Sequence, residues 1–135
     1  MQLARPIFRG FAELETSIGV SEGFFEGLQS EDDWSFVVKL HAIFEATATD
    51  LLAYHFKEEA LWDLFARLEL SNKTTGKLGF LKALDLMGSE NRRYISSLSE
   101  LRNALVHDVR NCSFNLKEMV NEKARVVFSD NEEDD

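Results

Sequence analysis

The sequence predicts an all-α protein, an up-and-down bundle of four long helices with one or two short ones. Three observations carry that expectation. Apolar residues recur at three- and four-residue steps through most of the chain. A single proline, Pro6, leaves long helices uninterrupted. With 135 residues, 44% of them hydrophobic and eleven of them Phe, the chain can bury a core that needs no disulfide or metal staple.

Each element follows from local pattern. Ile7, Phe8, Phe11, Leu14 and Ile18 fall on one face of a first helix over residues 7–18. Gly19, Gly23 and Gly27 mark a looser region in which Phe24, Phe25 and Leu28 return to the core. Ser30 is a suitable cap for the next helix, and Glu31, Asp32 and Asp33 suit the positive end of its dipole. That helix is the strongest in the chain, with Trp34, Val37, Val38, Leu40, Phe44, Ala48, Leu51 and Leu52 in a broad stripe, as expected of a central element. A shorter helix is expected over 58–70, a linker at SNKTTG, and a helix over 75–87 stopped by Gly88 in a left-handed conformation. Ser89 offers a fresh cap for a helix over 90–111, and a last short helix precedes the acidic end. Residues 1–128 are expected to form one domain and 129–135 an acidic, disordered tail. There is no internal repeat.

The net charge is −9, but Asp130, Glu132, Glu133, Asp134 and Asp135 account for five of those charges and leave −4 for residues 1–129. A mildly acidic body argues against a broad duplex-binding surface and leaves room for a small, locally basic RNA site. Cys112 is the only cysteine, which predicts a reducing, cytoplasmic setting. No apolar run is long enough to span a bilayer and no signal sequence is evident, so no membrane partner is expected. The three histidines and one cysteine do not fall in zinc spacing, so neither a metal nor another cofactor is expected.

Residues 99–108, SELRNALVHD, set polar groups into an apolar helical pattern. At about 100° per residue, Tyr94, Leu98, Leu101, Leu105 and Val109 form the core face, with Ile95 and Val106 at its margin. Asn103, His107 and Arg110 lie roughly opposite. Arg102 sits at the edge of the apolar stripe, about 140° around from His107. One straight helix therefore does not stack Arg102 on His107. Either the arginine wraps around the helix or a second copy completes the site, which predicts a homodimer with the site at its twofold interface.

The string Arg102-Asn103-Ala104-Leu105-Val106-His107 resembles the arginine, polar residue, three spacers, histidine signature of the HEPN superfamily of small all-α domains. KLHAIFE, midway along the preceding long helix, is similar to the polar or acidic position that HEPN-like proteins commonly carry there. Helix order over residues 31–122 resembles the compact HEPN-like group that includes mannitol-operon repressors. The resemblance implies metal-independent endoribonuclease chemistry of the toxin or defence type. His107 would be the acid or base, Arg102 the phosphate clamp and Asn103 a polar positioner, roles that suit imidazole and guanidinium chemistry. Two residues past the histidine stands Val109, where nucleotidyltransferase-partnered HEPN toxins often carry tyrosine, so control by tyrosine adenylylation is not expected.

The supporting residues each carry two readings. His41 and Glu45, one turn apart on the long helix, are supporting candidates; Glu45 would orient Arg102 or His107, or else belong to a structural ion pair. Asp108 would tune His107 or pair with Arg110, and Arg110 is the second phosphate candidate. Arg92 and Arg93 are expected on a solvated, mixed-charge face. Against the ribonuclease stands a different class of function, a non-catalytic transcriptional regulator or interaction scaffold similar to the mannitol repressors. RNA is the partner implied by the first reading, with an antitoxin or regulatory protein as the further partner class. Whether the chain is an enzyme is left open between them.

Overall fold

The computed structural model describes residues 11–122, which form helices joined by turns and loops with no strand among them. Helix α1 spans Phe11–Ile18, α2 Phe24–Leu28 and α3 Asp33–Phe56. A 3-10 turn at Glu59–Leu61 leads into α4, Trp62–Ala66, followed by α5, Lys77–Ala83, and α6, Ser89–Val106. A second 3-10 turn occupies Val109–Ser113, and residues 116–122 are helical. The fold class is the expected all-α bundle. Of the described helices α3, with 24 residues, and α6, with 18, are long; the others are short. The expected start of the first helix at residue 7 and the acidic tail at 129–135 lie outside the described residues.

Helix α3 is the central element, packed by α1, α4, α5 and α6. Its partner α6 runs antiparallel to it: Trp34 at the start of α3 meets Leu105 near the end of α6, and Phe44 meets Tyr94 further back. Two apolar clusters make up the core. Ala48, Leu52, Phe65, Leu70, Leu78, Leu81 and Ile95 form one, and Val37, Leu98 and Leu105 the other, with Phe44 against both.

Local chemistry moves several boundaries. Asp32, not Ser30, caps α3: its carboxylate accepts from the Ser35 amide and the Ser35 hydroxyl, both at 2.9 Å. The cap must stand immediately before the first helical residue to reach the third amide, and Ser30 is too far upstream. The segment 58–70 is not one helix. After Lys57 takes a left-handed conformation (φ 53°), the chain makes a 3-10 turn and one turn of α4, and then leaves helical geometry. The carbonyls of Glu69 and Leu70 accept instead from the amides of Lys77 and Leu78 at 2.8 and 3.0 Å, which closes the SNKTTG loop. At Gly76 an added Cβ would lie 2.4 Å from the Glu69 carbonyl oxygen, so the close approach requires glycine.

Helix α5 stops at Asp85, not at Gly88. Asp85 is left-handed (φ 53°), its amide bonds to the Lys82 carbonyl, and the Leu86 amide bonds back to Leu81 at 2.9 Å. That is the double hydrogen bond of a Schellman stop, with aspartate standing where glycine is usual. Gly88 is extended and occupies the N-cap position of α6, so Ser89 is the first helical residue rather than the cap.

Candidate functional site

The face of α6 turned toward α3 is rotated from the one that apolar spacing selects. Ile95, Leu98, Ser99 and Leu105 are buried and Arg102 half-buried, whereas Tyr94 is 55% exposed. Val109 does not share the face at all. Helix α6 ends at Val106, His107 is its C-cap, and Val109 in the following 3-10 turn is 79% exposed. The cause is across the interface, where His41 of α3 is buried and needs polar partners. Ser99 and Arg102, three residues apart and hence neighbours on α6, supply them.

Arg102 Nε donates to His41 Nδ1 at 3.3 Å. A guanidinium has no acceptor, so Nδ1 must be the unprotonated nitrogen. His41 Nε2 then carries the proton and donates to Ser99 Oγ at 2.9 Å. Burial holds His41 below its ordinary pKa, and the positive charges of Arg102 and Lys77 push the same way against the opposing pull of Glu45. His41 is therefore a neutral imidazole of fixed tautomer wedged between two helices. It lies between Val37 and Ala48 along α3, as a polar layer between the two apolar clusters.

Glu45 is half-buried one turn further along α3 and forms no ion pair among the described residues. Its influence is through space, on His41 and on Lys77. Lys77, at the start of α5, is 1% exposed; burial lowers its pKa and Glu45 partly restores it. The side chain that accepts from Arg102 and orients it is thus His41 rather than Glu45.

His107 and Asn103 are on the exposed side of α6. The backbone around them is firmly held. The His107 amide bonds to the Asn103 carbonyl at 3.2 Å, Asn111 Nδ2 donates to the Ala104 carbonyl at 3.0 Å, and Trp34 Nε1 donates to the Leu105 carbonyl at 3.0 Å. The last carbonyls of a helix need such partners, and here one side chain from the following turn and one from α3 supply them. Asp108 caps the 3-10 turn through the Arg110 amide at 2.9 Å and grips the Arg110 guanidinium with both carboxylate oxygens. Hydrogen bonds from Arg110 hold the Asp108 carboxyl below the usual range, and the same pairing raises Arg110. Asp108 is thereby paired with Arg110, the plainer of its two expected roles. The concavity beside Arg110, about 340 Å³, is also lined by Glu118 and Glu122, which oppose an incoming phosphate.

The structure accordingly joins Arg102 to His41 and leaves His107, Asn103, Asp108 and Arg110 on the outer surface at the helix end. The polar roles of four residues escaped the sequence reading: Ser99, Trp34, Asn111 and Lys77. Only Ser99 left a signal, its spacing of three from Arg102. Among the described residues no three His, Cys, Asp or Glu side chains gather closely enough to hold a metal ion, and no helix is long and apolar enough to cross a membrane. Comparison with family models, with characterised proteins and with solved structures yields no match to this chain.

Proposed function

We propose that this chain is a HEPN-like helical domain of the non-catalytic kind, a cytoplasmic regulator or scaffold that works through protein partners, as the resemblance to mannitol repressors implies. One observation carries the reading. The arginine of the signature is spent on the buried His41–Ser99 layer, while the histidine stands on the opposite, exposed side of the helix. A phosphate clamp and a proton shuttle must address one scissile bond, and within one protomer these two groups face different surroundings. The acidic balance points the same way, toward protein rather than RNA contacts.

The test is incubation of the wild type and of His107→Ala with mixed cellular RNA in chelator. The expected result is intact RNA in both. Cleavage by the wild type that disappears in a folded His107→Ala protein would overturn the reading. It would restore the second one, a metal-independent endoribonuclease of the toxin or defence type assembled from two copies. A specific observation favours that alternative: His107 is flanked by exposed Val106 and Val109, apolar surface that a second protomer could cover. The homodimer belongs to that reading, as do RNA and an antitoxin partner.

A further inference from the structure

Away from the signature, a cavity of about 270 Å³ opens between α5 and α6, lined by Lys73, Leu78, Lys82, Ser89, Arg92 and Arg93. Its wall holds four cationic side chains and no carboxylate, in a chain whose net charge is −9. Among the described residues none of the four makes an ion pair; the two salt bridges are Lys39 with Glu31 and Arg110 with Asp108. Four like charges lining one cavity without a carboxylate among them make a locally positive site that favours an anion.

The cavity is built on ordered parts. Lys73 belongs to the closed loop in which Asn72 Oδ1 accepts from the Thr74 and Thr75 amides, both at 2.9 Å. That loop lies directly on α5, so that a Cβ at Gly79 would meet the Lys73 carbonyl oxygen at 3.0 Å. Lys82 stands one turn from buried Leu78, which forms the floor. Ser89, Arg92 and Arg93 share one face of the first turn of α6. Arg92 is anchored by a hydrogen bond from its Nη1 to the Met87 carbonyl, which fixes one guanidinium at the rim before any ligand arrives.

We infer that this cavity is a binding site for a small free polyphosphate, the class that includes inorganic pyrophosphate and the diphosphate part of a nucleotide. The charge count selects it. A single phosphate monoester carries about −1.5 to −2 near neutral pH and a diphosphate more, so a diphosphate comes far nearer to balancing the four cations than a single carboxylate does. Two guanidiniums and two ammoniums offer both forked and point-charge donors for its oxygens. No aromatic side chain lines the cavity for a base to stack on, which argues against single-stranded RNA as the occupant. The site does not depend on whether Arg102 and His107 are catalytic.

Isothermal calorimetry with pyrophosphate, in chelator, tests it on the full chain. One-to-one binding is expected, weakening with added salt, and the double variant Lys82→Ala/Arg93→Ala should bind at least about tenfold more weakly. Both replaced side chains are exposed, so the variant should melt as the wild type does. ADP that binds at least as tightly as pyrophosphate while adenosine does not would support the same diphosphate site and name a nucleotide as its source. The inference is overturned by any of three results: no binding of pyrophosphate up to about 1 mM, affinity unchanged in the double variant, or an RNA oligonucleotide that binds the wild type and that pyrophosphate fails to displace.

Discussion

Protonating His41 would place a hydrogen on Nδ1, where the Arg102 guanidinium already points its own. The buried layer is therefore sensitive to acid, and the direction follows from linkage. Burial and neighbouring cations lower the folded-state pKa of His41 from the ordinary 6.5. As pH falls below about 6.5 the unfolded chain takes up the proton first. Stability that is fully present above that pH is then lost progressively as pH falls through the folded value. His41→Gln, whose amide can accept from Arg102 and donate to Ser99 without titrating, should flatten the melting profile between pH 7 and 5. Parallel profiles for wild type and variant would mean that His41 is not the group responsible. The residue scale also explains why Arg102 and His107 part company. The side chain beside the apolar stripe is drawn inward by His41, a supporting candidate whose part as a buried partner of Arg102 was not foreseen, and the one opposite is left in water.

Among the elements, the helix ends decide where the chain turns, and they do so through single side chains. Asp32→Ala removes the acceptor for the Ser35 amide and should cost about 1 kcal/mol in urea unfolding, whereas Ser30→Ala should be close to neutral. The reverse order would show that the helix starts upstream of Asp33. At the other end, Trp34 and Asn111 satisfy the carbonyls of Leu105 and Ala104. The exposed His107 thus sits on a terminus tied to α3 and to the following turn. Element types were legible in the sequence because 3.6-residue periodicity is a local property of each segment. Boundaries were less so. Asp85 takes the left-handed stop that Gly88 was expected to take, because an aspartate can adopt that conformation and the chain needs three more residues to reach α6.

For the molecule as a whole, stability rests on α3 with α4, α5 and α6 around it. Leu52 is fully buried among Ala48, Phe65, Leu78 and Leu81, so Leu52→Ala should lower the unfolding free energy by about 2–5 kcal/mol. Leu64, apolar and on the neighbouring α4, is 59% exposed, and its replacement by alanine should stay within about 0.5 kcal/mol. Equal losses at the two positions would contradict this division of the core. By itself the sequence determined the all-helical class, the central place of α3 and the segment that bears the Arg102–His107 string, since each follows from hydrophobic spacing along one helix. Only the tertiary structure decided which face of α6 turns inward, that Arg102 pairs with His41, and that Lys73, Lys82, Arg92 and Arg93 surround one cavity. Those outcomes depend on groups 58 to 71 residues apart across α3 and α6, as in the His41–Ser99 and Trp34–Leu105 bonds, or on a loop folded over α5, and no local pattern encodes such a meeting.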